Sequence, residues 1–529
     1  MKTNKLLFLL TGLLAFSLLN GCAKKTESAA QTVGSAAAPI EITVEVFDRG
    51  TDGGKTNPTN NEWAKWIQAK FLKDEHINVV FVPVNRGNEE QEIVTRMAAQ
   101  DAPDICYTYS MDNVRNWGLQ GGVYDLAPYV DTHLQDMKDM MGEDPSIPGQ
   151  NLIWHSKDVD TGALYGISNK YMYTASHNTF IRKDWLDTLG LPEPTTTQEF
   201  FDCLLAFKNN AAKLGVERVV PFIMATDIRW QAYNIFLSFM PPDLSPRDKW
   251  VNTVAERQLL VPGVKDALRF LNKMYLEGLI DPDFPLYIDD SAPANVMKSG
   301  IVGAFQHNWD HPYRQNLQIQ TDLEKNIPGA KYIPIDPFTN AAGLTPKRGS
   351  PAAGGLIFFI PKASKNPEAA LRYANWLCCY ENYHFLQFGA EGINHTTVNG
   401  VAIPLTAAGP WIQNSAANVD YTMSINGYVV PTEQFGQVLA AGYPGIPLDE
   451  VTAAYRIASL NAKVEPYISA TILSLAPVRQ VLVNKEKVLC VNLICAKPGE
   501  FDRVWDEGIQ DWLSSGAQAV IDEQKTKYR

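Results

Sequence analysis

Four short segments set aromatic rings beside hydrogen-bonding side chains. They are Tyr107-Thr108-Tyr109, Tyr171-Met172-Tyr173, Arg229-Trp230-Gln231 and His307-Asn308-Trp309-Asp310. Rings of this kind stack on the C–H faces of a sugar, while amides, carboxylates and guanidinium groups meet its hydroxyls. Trp309 is the first candidate for such stacking, because a polar turn there follows the apolar run Ile301 to Phe305. Asn308 flanks it, and Trp230, Gln231, Tyr109 and Tyr173 are the further ligand-binding candidates. Asp48 and Arg49 join them, since they open a polar, Gly-rich loop at the end of the first strand.

Covalent and metal chemistry leave weaker traces. There is no G-x-S-x-G elbow, P-loop, dinucleotide turn or H-E-x-x-H. Among eight histidines, His307 and His311 stand four apart, but Pro312 argues for a turn where a helical metal pair needs a helix, so no metal is expected. The acid pairs Asp281-x-Asp283 and Asp289-Asp290 read as caps and solvated turns. Seven cysteines form no dense framework, and those other than Cys22 read chiefly as small buried apolar thiols. A disulfide among them stays open. No cofactor is expected.

Cys22 stands apart. Lys2 and Lys5 precede the apolar run Leu6 to Leu19, which is shorter than the roughly 20 residues a membrane span takes. Leu19-Asn20-Gly21-Cys22 then resembles a bacterial lipobox. Residues 1–21 are therefore expected to be a cleaved signal, with Cys22 diacylated; two acyl chains suffice for stable anchoring. Residues 22–39, rich in Ala, Ser and Thr, read as a flexible tether. The expected place is the outer face of the cell membrane.

The elements that position the candidates read as α/β. Ile40 to Phe47 alternates as a strand; Trp63, Trp66, Ile67 and Phe71 line a helix from about Asn61; His76 to Val84 is a second strand. A helix from Glu89 to Gln100 and a third strand at Pro103–Tyr107 complete a β-α-β-α-β order, which implies an open, largely parallel sheet. Further helices carry their own stops and starts: Gly190 and Gly278 as left-handed caps, Thr196-x-x-Glu199 as a capping box, and Asn366-Pro367-Glu368 as an N-terminus. Tyr332–Ile335 and Gly355–Ile360 are β segments. At 529 residues the chain exceeds one hydrophobic core. Losing Lys2 and Lys5 takes the formal charge from −12 to −14, which argues against nucleic acid.

Several stretches resemble one family. They are Met97–Ile105, Gly122–Leu126, Phe180–Leu191, Leu276–Asp281 and Asn366–Ala370, in that order. The chain is similar to the extracellular solute-binding proteins, family 1, of ABC transporters. Within that family it looks most like the LipO-like lipoproteins and the alginate- and oligosaccharide-binding proteins. The resemblance implies a type II periplasmic binding protein fold, with two lobes and a ligand cleft between them. The N-terminal lobe is expected to hold residues 40–175 and 331–395, and the other lobe 176–330 and 396–529. It also implies a carbohydrate ligand, ABC permease subunits as partners, a monomer, and no catalysis. Glycan-binding relatives stack sugar on a tryptophan in a turn like His307-Asn308-Trp309. Calcium-binding relatives have an Asp/Asn-rich loop where this chain has Lys208-Asn209-Asn210-Ala211-Ala212-Lys213, so calcium is not expected there. The alternatives are the same fold binding a peptide or other solute or acting as a sensor, and a surface glycan-cleaving enzyme.

Overall fold

The structure is a computed structural model that describes residues 38–48, 57–145, 147–314, 317–340, 342–347, 349–405, 421–430, 435–443, 445–464, 468 and 470–528. The signal, Cys22, nearly all of the tether and Arg49 lie outside the described residues.

The N-terminal lobe begins with a β-α-β unit. Strand β1 (Ile40–Asp48) pairs in parallel with β2 (Ile77–Asn85) along its whole length. The helix Glu62–Glu75 connects them. Asn61 caps that helix by accepting from the Ala64 amide at 2.9 Å, and Trp63, Ile67 and Phe71 are buried on its inner face. Each such side chain contributes about 1.5–3 kcal/mol on burial. Strand β3 (Cys106–Thr108) is tied to β1 by backbone bonds between Glu45 and Ile105 (3.0 Å) and between Ile105 and Thr43 (3.1 Å). β3 then pairs antiparallel with β9 (Ala353–Phe359), which pairs with β4 (Ile167–Tyr171) and so with β12 (Ile425–Asn426). The strict alternation expected of β1 fails at Glu45, whose side chain is fully buried. A parallel strand is covered on both faces, and here the second face lies under the helix Glu89–Ala99, whose Ile93 is buried.

The second lobe is built on the sheet β6-β7-β5-β8: Val220–Ile223, Val302–Asn308, His177–Arg182 and Tyr332–Ile335. β6 and β7 are parallel; β5 runs against both β7 and β8. The capping box forms as expected, with Glu199 N–H donating to Thr196 Oγ1 (3.1 Å) and Glu199 Oε2 accepting from the Thr196 amide (3.2 Å). The helix behind it, Thr197–Asn209, buries Phe200, Leu204 and Phe207. It approaches the sheet so closely that a Cβ on Gly303 would meet Phe207 at 2.7 Å and the Pro221 carbonyl at 2.8 Å. A hairpin of β10 (His395–Val398) and β11 (Val401–Pro404) stands apart from both large sheets.

Strand pairing moves two of the expected lobe boundaries. Tyr332–Ile335, placed by sequence in the N-terminal lobe, completes the second lobe's sheet through β5, so the return to the first lobe falls between Ile335 and Ala353. Ile425–Asn426, placed in the second lobe, extends the first lobe's sheet through β4. Short strands carry no lobe label of their own; their register partners decide. Asn366 also departs from expectation. It precedes the helix Pro367–Leu377 without accepting from it, and its side-chain amide donates to the Glu41 carbonyl at 3.1 Å.

The chain crosses between lobes after β4, after β8 and after β12, and the crossings bond to one another. Tyr171 N–H donates to Ala352 O (2.8 Å), Ser350 N–H to Thr174 O (2.9 Å), and Met172 N–H to Asn426 O (2.9 Å). Gly427, at φ 103°, lies against the Tyr173 ring, where a Cβ would come within 2.9 Å. This bundle is the hinge.

Candidate functional site

Both sheets point the same kind of edge at the hinge. β1, β3 and β4 share one direction, so Asp48, Tyr109 and Tyr171 follow their carboxyl ends. In the second lobe β6 and β7 end there too, and the antiparallel β5 begins there, with His177 opposite Asn308. Open α/β sheets bind ligands beyond the carboxyl ends of their strands.

On the first wall, Phe47 and Tyr109 are stacked with centroids 6.2 Å apart. The Arg86 guanidinium, just past β2, lies 4.0 Å from the Tyr109 ring and 5.5 Å from Phe47. Its Nε is buried and has no hydrogen-bond partner among the described residues. Buried Glu89 accepts from the Tyr109 amide (3.1 Å), and burial raises its carboxyl above the usual range. Asp48 is exposed at the rim.

On the second wall, Trp230 sits on the short helix Ile228–Gln231 and meets His177 edge to face at 3.9 Å. Gln231 turns inward, its Nε2 donating to Asp290 Oδ1 (2.8 Å) and its Oε1 accepting from the Ala225 amide. Asp290 also faces His307 Nε2 at 3.2 Å, and the His307 and His311 rings stack at 3.5 Å. Asp290, one of the acids read as a turn residue, thus lies beside the histidine pair, a neighbour not legible in the sequence. Asp281, Asp283 and Asp289 keep to local roles: Asp281 accepts from the Asp283 amide (3.2 Å) and Asp289 from the Ser291 amide (2.9 Å).

Trp309 lies deeper than a surface platform. It is 4% exposed and enclosed edge-on by Tyr173 (6.4 Å), Tyr443 (6.0 Å) and Tyr455 (5.4 Å). Asn308 is half-buried with an Oδ1 that has no partner among the described residues. Tyr173 belongs to the hinge, where its hydroxyl donates to Asn426 (3.1 Å). Burial is the main cause that raises its phenol. Beside Trp309, Arg314 holds Asp310 with two bonds (3.0 and 2.7 Å) and Tyr443 donates a third (2.9 Å). Burial alone would raise the Asp310 carboxyl; the Arg314 charge and these bonds reverse it, leaving the group below its usual range.

Arg86, Phe47, His177, Asp290 and Arg314 escaped sequence reasoning. Arg86 had one available signal, its place directly after an apolar strand.

The sequence profile of the bacterial extracellular solute-binding proteins matches residues 55–378. The chain belongs to that family. This solute-binding protein is 20% identical over 376 residues to the polygalacturonan/rhamnogalacturonan-binding protein YtcQ of Bacillus subtilis (strain 168), covering 66% of this chain and 70% of that one. It is 28% identical over 311 residues to lipoprotein LipO of the same organism, 56% of either chain. Among solved structures, the alginate-binding protein AlgQ2 without calcium ion superposes with a TM-score of 0.68 at 19% identity, over 93% of this chain and 98% of that one. The two-lobed architecture of the solute-binding protein is thus that of periplasmic binding proteins. In its Lys208–Lys213 segment, Lys208 Nζ donates to the Glu277 carbonyl (2.7 Å) and Asn210 Nδ2 to the Ala206 carbonyl (2.8 Å). Among the described residues no helix is long and apolar enough to cross a membrane.

Proposed function

We propose that this protein captures an oligosaccharide in the interlobe cleft and delivers it to an ABC importer, held at the outer face of the cell membrane by a lipid on Cys22. Family membership supports solute capture with an ABC transporter. The observation that carries the carbohydrate reading is the pairing of aromatic faces with open polar atoms on opposed walls. Tyr109 and Trp230 supply rings, while Arg86 Nε, Arg229 Nε and Asn308 Oδ1 are buried with no hydrogen-bond partner among the described residues. Buried polar atoms are normally satisfied, so atoms left open at a cleft favour a ligand rich in hydroxyls or carboxylates. The guanidinium groups put acidic oligosaccharides first, since Arg recognises carboxylates with paired bonds. The names of YtcQ and AlgQ2, both binders of polyuronates, point the same way.

A thermal-shift screen of the signal-free protein against uronate oligomers, neutral oligosaccharides and peptides tests this, because a ligand that binds the native state alone raises the melting temperature. A rise with a glycan supports the reading; a rise with peptides alone replaces it. Turnover of any glycan by the purified protein would make it an enzyme instead. Cys22→Ser should release the protein from membranes, and its continued pelleting in detergent-free buffer would sink the anchor.

A further inference from the structure

We propose that Asp290, His307 and His311 form a zinc site in the second lobe, independent of which solute fills the cleft. Their ligand atoms lie within 4.8 Å of one another. Three different elements bring them together. His307 is near the end of β7, His311 opens the 3-10 turn His311–Tyr313, and Asp290 precedes the helix Ser291–Lys298. The turn at Trp309-Asp310 puts both imidazoles on one side, so Pro312 does not prevent the pair; it sits inside the turn that makes it.

Burial and hydrogen bonding distinguish this cluster from a chance surface group. His307 and His311 are 5% and 1% exposed. His311 Nδ1 is buried with no hydrogen-bond partner among the described residues. Imidazole nitrogens bind metal in the neutral form. Gln231 Nε2 fixes the Asp290 carboxylate at 2.8 Å, the kind of outer contact that orients a metal-bound carboxylate. Arg314, the cation three residues on from His311, makes two bonds to the Asp310 carboxylate.

Two imidazoles and a carboxylate suit zinc, which binds such donors at about 2.0–2.2 Å and keeps a fourth position for water or a ligand oxygen. The His307–Asp290 separation of 3.2 Å is already near an edge of such a tetrahedron. Loading requires the stacked rings to splay. It also requires the His307 proton to move to Nδ1, which gives up that atom's contact with the Asn308 amide (2.8 Å). Asp290 is 40% exposed at its side chain, which leaves the ion a route in.

Cobalt, a spectroscopic stand-in for zinc, gives the direct test. Metal-free protein titrated with Co2+ should develop the visible bands of a tetrahedral ion at one equivalent, and Zn2+ should displace them. Asp290→Asn and His307→Gln should each weaken Zn2+ binding by about tenfold or more, and Gln231→Ala by roughly 10–100-fold. Circular dichroism melts without metal confirm that each variant is folded, and Zn2+ should raise the melting temperature of the wild type by more than that of any variant. Absence of stoichiometric binding, or binding unchanged in folded Asp290→Asn and His307→Gln, overturns the site.

Discussion

Trp230 and Trp309 arise from the same kind of sequence, an indole between polar residues, and the structure gives them opposite surroundings. Trp309 is 4% exposed among Tyr173, Tyr443 and Tyr455, so Trp309→Ala is expected to cost about 3–5 kcal/mol of stability. Trp230 is half-buried against His177, and Trp230→Ala is expected to cost about 2 kcal/mol of ligand binding with a nearly unchanged melting temperature. Calorimetry and ligand titration on both variants check the contrast; equal effects would erase it. The sequence showed that indoles would stand at strand ends, but not which would be closed over, because Tyr443 and Tyr455 come from more than 130 residues downstream. A second residue-level expectation concerns Glu45. Burial raises its carboxyl well above 4.5, and the bond from the Tyr107 amide (2.8 Å) offsets this only in part. The folded chain therefore holds this proton more tightly than the unfolded chain. Its contribution favours folding below the ordinary carboxylate range and fades as pH rises through the folded value. Glu45→Gln should raise the melting temperature at neutral pH while changing it little in acid, and a parallel shift at all pH values would refute that account.

Helix ends were the most legible elements, because a cap is written within four residues. Thr196 and Glu199 form their box as read, and Gly190 takes φ 64° at the end of Lys183–Leu189. Thr196→Ala should destabilise the protein by about 1 kcal/mol, lowering the denaturant midpoint with the slope unchanged. A shift below a few tenths would mean that the helix is held by Phe200, Leu204 and Phe207 alone. Strand identity was legible too, since Ile40–Asp48 and Ile77–Asn85 fall where alternation put them. Strand partnership was not. Tyr332–Ile335 and Ile425–Asn426 are too short to announce a lobe, and their neighbours, His177–Arg182 and Ile167–Tyr171, lie more than 140 residues away in sequence. The same limit hid the metal-type cluster: His307 and His311 stand four apart in the chain, but Asp290 joins them only through the packing of the second lobe.

Across the whole molecule, charged contacts span the two lobes. Arg479, at the start of the helix Arg479–Ile494, is bonded to Glu90 and Asp112 of the first lobe at 3.0 Å each and faces Glu256 of the second at 3.8 Å. Lys527 pairs with Asp160, and Thr471 bonds Asp158, in the same direction. Glu256 is delivered by a turn in which both Ala255 and Glu256 take positive φ, 50° and 63°. Non-glycine residues hold such angles at a cost; here they put one carboxylate within 3.8 Å of both Arg229 and Arg479. Arg479 is mostly buried, and the three acids hold its guanidinium charged against the desolvation that would weaken it. Parting the lobes would separate this cation from Glu90 and Asp112, so its ion pairs favour the lobe arrangement that holds them. Arg479→Ala should therefore shift the free protein toward open forms, raising its radius of gyration by small-angle scattering. Ligand affinity should fall by the fraction of molecules no longer closed, about tenfold for each 1.4 kcal/mol lost from that state. Trp230→Ala supplies the contrast, since it takes away the proposed stacking ring and keeps Arg479, Glu90 and Asp112; it should weaken binding at an unchanged free radius. If Arg479→Ala leaves both radius and affinity as they are, closure is governed by the hinge strands and the ligand, and the ionic contacts are passive.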